Sequence, residues 1–267
     1  MRGAVQGSPR ENGLSVVIIA RNEAPRIGPC LESAAFADEV IVVDGLSEDG
    51  TAELCRSKGA RVFERAWPGY GAQKNFAMAQ ASQPWVLILD ADERVPEALR
   101  EEIGAVLRSD ARADAVAYRI PRRNFFYGRW MNFGGLFPDY QIRLLRRGAG
   151  HYNDAELHEN LLVDGPIGML RHPLDHVTEP TVADHFRRVD RYTTFAARET
   201  GKRRRRVGWT DLTFRPAAVL VKTYVLKQGF RDGIPGFLIS AFGAMHIFLK
   251  YAKLWEARLN RPAPGQS

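Results

Sequence analysis

The stretch Trp85-Val86-Leu87-Ile88-Leu89-Asp90-Ala91-Asp92 carries the strongest structural signal in this 267-residue chain. Its apolar run has no alternation, which predicts a strand buried on both faces, as in a parallel sheet. Ligands of open α/β sheets bind beyond the carboxyl ends of the strands, so we expect Asp90 and Asp92 to lie in a ligand crevice. Carboxylates suit Mg²⁺ or Mn²⁺. The alternative is that they cap the helix predicted to start near Pro96.

Two strands nearer the N-terminus are also predicted to end in acidic residues. The apolar run 14–20 is followed by Glu23, and the run 39–43 is followed by Asp44. Helical segments alternate with these strands, which predicts a mostly parallel sheet with right-handed crossovers and helices on both faces. Three acidic strand ends would then meet at one edge of the sheet. A nucleotide with a divalent cation would explain this convergence, and an acidic rim in contact with water is the alternative.

Three motifs, taken in order, carry a family resemblance. They are Val16–Glu23, Val42–Thr51 and Leu87–Glu93, and each covers the end of a predicted strand and the residues that follow it. Together they resemble the successive signatures of the family 2 glycosyltransferases over about residues 14–165, and the ordered set is more specific than any one motif. The resemblance implies a GT-A fold and an inverting enzyme that uses a nucleotide-diphosphate sugar.

The same resemblance implies a role for each matching residue. Glu23 and Asp44 would contact the nucleobase and ribose, and Lys74 would lie near the base or the diphosphate. Asp90 would support the ribose or the metal shell, and Asp92 would bind the cation that bridges the diphosphate oxygens. The chemistry is consistent, because a divalent ion stabilises the negative charge that develops on a departing nucleoside diphosphate.

The next part of the chain supplies candidates for the acceptor side. Residues 138–147 alternate as a strand, which places Asp139, Gln141 and Arg143 on one side. We expect Gln141 and Arg143 to contribute to binding of the donor. The segment 122–130 mixes arginine and aromatic side chains, which can stack on sugars and hold phosphates or simply anchor a loop.

The strand followed by His158-Glu159 is similar to the lipopolysaccharide-core branch of family 2, which contains the WaaE-type β-glucosyltransferases. This similarity implies UDP-glucose as donor and lipopolysaccharide inner core as acceptor, with a polyprenyl-linked or exopolysaccharide acceptor as the alternative. Many family members have a Glu-Asp pair in this region, and its acid acts as the base. The departure from that pattern leaves Glu159 as our first candidate for the general base and Asp139 as our second. Glu159 would otherwise pair with Arg143 or Arg146.

Positive charge is concentrated in the C-terminal third. The whole chain has a formal charge of +7, and residues 171–267 contain 18 basic and 8 acidic residues. We therefore predict a catalytic domain over residues 1–170 and a basic, helical region over 171–267 that contacts the membrane interface or the acceptor. The basic run 202–206 would strengthen attachment to an anionic surface. Helices that cover the catalytic domain or form a dimer contact are the alternative.

The last apolar segment carries small and basic residues at helical spacing along one stripe: Gly243, His246, Lys250 and Lys253. A narrow basic stripe on an apolar helix favours peripheral attachment to the cytoplasmic leaflet of the inner membrane, since the apolar stretch is too short and interrupted for a confident span. Residues 1–13 lack the apolar core of a signal peptide, which predicts a cytoplasmic protein. Cys30 and Cys55 have no metal-ligand spacing, so we expect buried, reduced thiols.

Two other classes of protein fit part of the sequence. A nucleotidyltransferase normally has a Gly-rich phosphate-binding loop after its first strand, and Ala20-Arg21-Asn22-Glu23 does not provide one. A non-catalytic protein that binds RNA or anionic lipid would explain the C-terminal charge. This function does not explain why three predicted strands end in acidic residues. We therefore predict an enzyme with a nucleotide sugar and a membrane glycolipid as partners, and no nucleic acid.

Overall fold

The computed structural model describes residues 11–109, 115–153, 160–179, 181–202 and 207–259. The chain divides into two compact units. Unit 1 consists of Met1–Arg122 with Tyr140–His176, and unit 2 consists of Arg123–Asp139 with Val177–Ser267. The candidate base Glu159 and most of the basic run 202–206 lie outside the described residues.

Strands and helices alternate through the first part of the chain, as the hydrophobic pattern predicts. The elements are β1 Leu14–Ala20, α1 Ala24–Ala34, β2 Glu39–Asp44, α2 Thr51–Ser57, β3 Arg61–Glu64, α3 Tyr70–Ala79, β4 Trp85–Asp90, β5 Glu93–Arg94 and α4 Glu97–Arg108. Seven further strands of the described chain follow: β6 Ala117–Phe126, β7 Arg129–Trp130, β8 Asp139–Arg146, β9 Gly150–Tyr152, β10 Leu161–Val163, β11 Ile167–Met169 and β12 Leu174–Glu179. The predicted α/β class is confirmed.

The main sheet has the strand order β3-β2-β1-β4-β8-β6-β12-β5. Strand β1 pairs in parallel with β2 and β4, β2 pairs in parallel with β3, and β8 is antiparallel to β4. The register places Ala20 beside Asp44 and Ile19 beside Asp90. The carboxyl ends of β1, β2 and β4 therefore meet at one edge, where the sequence predicts the ligand crevice.

Both faces of the parallel strands are covered by helices. Along β1, Val16 and Ile18 pack on one face with residues of α1, α2 and α4, whereas Val17 and Ile19 pack on the other with Ala77 of α3. This explains the uninterrupted apolar runs, because a strand buried on both faces cannot alternate with polar residues. Burial of each large aliphatic side chain contributes roughly 1.5–3 kcal/mol, so this layer holds the acidic strand ends in place.

The two cysteines are buried free thiols, as the sequence predicts. Burial raises the pKa of the Cys30 thiol well above its ordinary value, and nearby carboxylates add to the effect. A thiol of this kind is a poor nucleophile and a poor metal ligand. We therefore assign both cysteines to the apolar core.

Unit 2 is mainly helical after residue 181. Its helices are α5 Val182–Lys202, α6 Trp209–Leu212, α7 Phe214–Leu220 and α8 Gly233–Leu259. A π-helical segment, Val221–Leu226, continues α7, and a 3₁₀ segment, Gly229–Asp232, precedes α8. The chain reverses at residues 227–229, between these two segments. Gln228 has a left-handed φ of 58°, and a Cβ on Gly236 would lie 2.0 Å from the carbonyl oxygen of Gly229, so only glycine allows this close return.

The basic stripe on α8 is partly an internal contact of unit 2. The Lys253 Nζ donates hydrogen bonds to the Asp190 carboxylate at 2.7 Å, to the Thr193 hydroxyl at 2.9 Å and to the Thr194 hydroxyl at 2.8 Å, all on α5. Lys253 therefore joins α8 to α5 and does not extend the predicted basic surface. A basic residue at helical spacing can contact either a neighbouring helix or a membrane surface. The hydrogen bonds to α5 show that Lys253 contacts the neighbouring helix.

Candidate active site

The loops that follow β1 and β2 are hydrogen-bonded to each other. The Asn22 amide donates to the Ser47 hydroxyl at 2.8 Å, and the Glu48 amide donates to the Asn22 side-chain oxygen at 2.9 Å. The Glu23 amide donates to the Thr51 hydroxyl at 2.9 Å. Asn22 itself has a φ of 56°, a left-handed conformation that asparagine tolerates better than most residues. These bonds give the edge of the sheet a defined shape before any ligand binds.

Asp44 and Glu23, the predicted nucleoside contacts, differ in their surroundings. Asp44 is fully buried, and its carboxylate accepts hydrogen bonds from the Ser47 amide at 2.8 Å and the Ser47 hydroxyl at 2.6 Å. Glu23 is only partly buried and lies 3.6 Å from the guanidinium of Arg26. The residue after Asp44 must be glycine, because a Cβ on Gly45 would lie 2.6 Å from the ring of Trp67. Asp44 is thus held in one orientation at the strand end.

A network of buried charges surrounds Asp90. One oxygen of Asp90 lies 3.1 Å from Lys74 Nζ, and the other lies 2.5 Å from Arg143 Nη2. Arg143 Nη2 also contacts Glu93 Oε1 at 2.5 Å, and Glu93 lies 3.4 Å from Arg122 Nη1. Glu93 is completely buried, and it also accepts the backbone amide of Asp90 at 2.9 Å. Each charge therefore has at least one opposite neighbour, which offsets the cost of removing it from water.

The ion pairs keep Asp90 ionised. Burial alone would raise the pKa of this carboxyl, but the positive charges of Arg143 and Lys74 outweigh burial and hold the pKa well below its usual range. For Arg143, burial lowers the pKa, but Asp90 and Glu93 outweigh burial and raise it well above its ordinary value. The Arg143 Nε is buried with no hydrogen-bond partner among the described residues. Loss of one partner would leave a buried, uncompensated charge, at a cost of about 3–5 kcal/mol.

Asp92 faces a different neighbour. It lies in the turn between β4 and β5, and its Oδ2 is 3.4 Å from Nε2 of His176 on β12. The pairing of β12 with β5, which sets His176 opposite Glu93, produces this approach. In the described part of the chain, no three potential ligands among His, Cys, Asp and Glu form a group. One carboxylate with one imidazole fits a cation whose remaining ligands come from substrate phosphates and water.

A cavity of about 590 Å³ in unit 1 adjoins this network. The charged and amide side chains that line it are Lys74, Asp90, Arg119, Arg122, Gln141 and Arg143. The donor-binding candidates Lys74, Asp90, Gln141 and Arg143 are therefore brought together. Asp139 is the first residue of β8 and belongs to unit 2, where it is half-buried.

Sequence reasoning missed several residues of this site. Glu93 could have been noticed, because it follows the Asp-x-Asp motif directly, but nothing in the sequence indicates that it is buried. Arg119 lies on β6, and nothing in the sequence around it indicates a cavity. His176 is far from the motif in sequence, and only the pairing of β12 with β5 brings it to Asp92.

Comparison with known proteins places the chain in a family. The model for "Glycosyl transferase family 2" matches residues 15–173, which is more than half of the chain. The lipopolysaccharide core biosynthesis glycosyltransferase LpsC of Rhizobium meliloti (strain 1021) is 32% identical over 94% of this chain and 95% of its own length. The uncharacterized glycosyltransferase RT0209 of Rickettsia typhi is 27% identical over 92% of this chain and 88% of its own length.

Solved structures align less closely. TarS 1-349 of S. aureus is 15% identical, with a TM-score of 0.45, over 93% of this chain and 92% of that one. Glucosyl-3-phosphoglycerate synthase from Mycobacterium tuberculosis is 26% identical, with a TM-score of 0.34, over 43% of this chain and 44% of that one. The GT-A-type α/β fold rests on the strand order described above together with the family match. With its acidic strand ends at one sheet edge, the chain belongs to glycosyl transferase family 2 and is a glycosyltransferase related to the lipopolysaccharide core enzyme LpsC.

Proposed function

We propose that this enzyme transfers a hexose, with inversion, from a nucleotide-diphosphate sugar to a hydroxyl of a membrane glycolipid. UDP-glucose is our preferred donor and lipopolysaccharide inner core our preferred acceptor; a polyprenyl-linked or exopolysaccharide acceptor is the alternative. The observation that carries the proposal is the meeting of Asp44, Asp90 and Asp92 at one sheet edge, beside a cavity lined by Lys74 and Arg143. The similarity to LpsC over nearly the whole chain supports the choice of acceptor.

In this proposal the two loops at the sheet edge bind the nucleoside. The carboxylate of Asp44 is oriented by Ser47 and can accept a hydrogen bond from a nucleobase or a ribose hydroxyl. Glu23 on the rim would contact the same nucleoside. Lys74 and Arg143 would face the diphosphate, while they keep Asp90 ionised and in position.

A divalent metal ion, Mg²⁺ or Mn²⁺, fits the geometry at Asp92. Asp92 and His176 would hold the ion, with Asp90 in the shell around it. When bound, the ion would stabilise the negative charge of the departing nucleoside diphosphate. A nitrogen ligand favours Mn²⁺ over Mg²⁺, which prefers oxygen.

The acceptor hydroxyl must lose its proton as it attacks the sugar carbon, so one carboxylate of the chain acts as general base. Glu159 remains our first candidate and Asp139 our second. Arg143, one of the two arginines proposed as alternative partners of Glu159 together with Arg146, is paired with Asp90 and Glu93. This pairing weakens the view that Glu159 is only a structural partner of Arg143.

We further propose that unit 2 attaches the enzyme to the cytoplasmic leaflet of the inner membrane. Large apolar side chains are exposed near the chain reversal of unit 2: Leu226 is 72% exposed and Ile234 is 75% exposed. Lys222 lies in the same π-helical segment as Leu226, and Arg231 lies in the 3₁₀ segment that precedes Ile234. We call Val221–Leu226 together with residues 229–237 the hairpin tip. An exposed apolar surface with basic residues nearby is typical of proteins that insert into the headgroup region of anionic bilayers.

The 3₁₀ segment and α8 together form one long apolar helical stretch. By length and composition alone, Gly229–Leu259 is long and apolar enough to cross a membrane, and only 22% of its most apolar part is buried. We nevertheless favour an interfacial position, because α8 has hydrogen-bonded contacts with α5 through Lys253 and packs at Tyr251 and Leu254 in a small core of unit 2.

The test uses purified full-length protein in detergent with a panel of nucleotide sugars and Mn²⁺ or Mg²⁺. We expect UDP-glucose to raise the melting temperature, since ligand at about 100 times its Kd stabilises a protein by about 2.7 kcal/mol. Adding truncated lipopolysaccharide should then release UDP and extend the acceptor by one hexose, measured by mass spectrometry. A protein that binds RNA or vesicles but neither binds nor turns over any nucleotide sugar would contradict the proposal.

A further inference from the structure

We propose that Asn75 is a positioning residue for donor binding: it holds Tyr152 in place, so that the Tyr152 ring fixes the ammonium group of Lys74. The inference rests on the proposed function, because it takes Lys74 as a contact of the donor diphosphate. It goes further by stating how a residue that does not line the cavity controls the affinity for the donor.

The side chain of Asn75 pairs with both backbone groups of Tyr152. The Asn75 Nδ2 donates to the Tyr152 carbonyl oxygen at 2.8 Å, and the Tyr152 amide donates to the Asn75 Oδ1 at 2.7 Å. A side-chain amide carries both a donor and an acceptor, so it can take the place of a neighbouring strand along the outer edge of β9. This contact joins α3 to a strand that lies 77 residues later in the chain.

Strand β9 depends on such a contact because it does not belong to the main sheet. Strands β9 and β10 form a two-stranded sheet of their own, in which Tyr152 is opposite Leu161, and both of these residues line the cavity. A two-stranded sheet is at best marginally stable by itself, so other elements must hold it. Apolar packing contributes, but it is non-directional, whereas two hydrogen bonds specify one position. Asn75 therefore fixes part of the cavity wall relative to α3.

Lys74, the residue before Asn75 on α3, contacts the ring of the same tyrosine. Its Nζ lies 5.3 Å from the centroid of the Tyr152 ring and 3.1 Å from Asp90 Oδ1. An ammonium group within about 6 Å of a ring centroid is attracted to the face of the ring. Because a lysine side chain is a flexible stem, its neighbours determine where the charge lies. Adjacent residues of a helix point about 100° apart, which lets Lys74 contact the ring while Asn75 bonds the backbone.

A purely structural role for Asn75 would have a different consequence. The amide would then only satisfy the backbone groups of Tyr152, which is 5% exposed, since unpaired backbone groups in a buried position cost free energy. Such a contact changes only the free energy of unfolding. A positioning contact also changes the affinity for the diphosphate, and it does so only while the Tyr152 ring is present.

The experiment measures binding of UDP, in the presence of Mn²⁺, to the purified full-length protein by isothermal titration calorimetry. We expect Asn75→Ala to weaken UDP binding by about five- to tenfold, which is the scale of one desolvated cation–π contact. Tyr152→Leu removes the ring but keeps the backbone groups that Asn75 bonds, so it should weaken binding to the same extent. Tyr152→Phe keeps the ring, and its affinity for UDP should stay within about twofold of that of the unsubstituted protein.

The double variant Asn75→Ala with Tyr152→Leu separates positioning from folding. Because Asn75 acts through the ring, the double variant should bind UDP no more weakly than Tyr152→Leu alone. Ser82→Ala is the control, since the Ser82 hydroxyl donates to Glu39 Oε1 at 2.7 Å near the amino ends of β2 and β4, at the opposite edge of the main sheet. This control should lower the free energy of unfolding and leave UDP binding unaltered.

An unchanged affinity for UDP in Asn75→Ala or in Tyr152→Leu would overturn the inference, and the second variant decides if the first does not fold. Independent losses that multiply in the double variant would also overturn it, because Asn75 would then act by another route. If the unsubstituted protein does not bind UDP at all, the proposed function fails, and this inference fails with it.

Discussion

Soluble proteins usually bury apolar side chains and expose charged ones. Unit 1 departs from this rule by burying charges, and unit 2 departs from it by exposing apolar side chains. Unit 1 buries charged side chains, among them Lys74, Glu93 and Arg143, and gives each an opposite charge. Unit 2 exposes large apolar side chains, such as Leu226 and Ile234. Paired buried charges fix the position of polar groups, which a reaction requires. Exposed apolar groups gain free energy only when another apolar phase covers them, which a membrane provides. On our proposal, unit 1 is the catalytic unit and unit 2 is the attachment unit.

The largest expected effect is a loss of transfer rate caused by a substitution in unit 1. Asp92→Asn removes a charged metal ligand and leaves a side chain of nearly the same size, so we expect the transfer rate to fall by about 10³-fold with an unchanged melting temperature. A Mn²⁺ titration of the remaining activity measures the loss of metal affinity. Asp164→Asn, in the exposed turn before β11, is the control. Near-normal transfer by Asp92→Asn in the presence of a chelator would refute the metal site.

A smaller loss is expected from the general base. Glu159→Gln preserves size and removes basicity, so kcat should fall by about 10²-fold while the donor KM stays nearly constant. Steady-state kinetics at saturating acceptor provide both values. Asp139→Asn is the companion variant, and it should retain most of its activity. The opposite pattern, with Glu159→Gln active and Asp139→Asn inactive, would exchange the two assignments.

The attachment unit is tested by paired double variants. Leu226→Glu with Ile234→Glu places charge on the hairpin tip and should reduce binding to vesicles of phosphatidylethanolamine and phosphatidylglycerol by at least about tenfold in cosedimentation. Leu162→Glu with Ile167→Glu makes the same chemical change at exposed positions of unit 1 and should leave vesicle binding unaltered. Equal losses in both double variants, or in neither, would remove the distinction between the units.

The smallest expected effect is a change, with pH, in the free energy of unfolding that the ion pairs of Asp90 contribute. The folded pKa of Asp90 is lowered, so the ionised group contributes stability that is fully present above its unfolded pKa of about 3.9 and is lost as the pH falls through the lower folded value. The free energy of unfolding of the unsubstituted protein should exceed that of Asp90→Asn by a constant amount from about pH 8 to about pH 5.

Below about pH 4 this difference should shrink by roughly 1–2 kcal/mol. Urea unfolding followed by tryptophan fluorescence measures it, and Asp164→Asn should show no such trend. A difference that already declines between about pH 7 and about pH 5 would show that Arg143 and Lys74 do not stabilise the ionised form.

Sequence reasoning was most accurate where the pattern is local. The apolar runs of β1, β2 and β4 predicted buried parallel strands, and their acidic ends indeed meet at one edge. The same approach was less accurate for the C-terminal helices. Composition identified apolar, basic helices but not the reversal at residues 227–229, which depends on the close approach of Gly229 and Gly236. The contact of Lys253 with α5 likewise depends on packing between helices.

The sequence by itself determined the α/β class, the position of the acidic strand ends and the family, because strand periodicity and motif spacing are properties of neighbouring residues. Only the tertiary structure decided which charges pair. Asp90 is held by Lys74 and Arg143, and Asp92 meets His176, through contacts between elements distant in the chain. Such contacts depend on strand order and register, which bring residues together without leaving a signal in either local sequence.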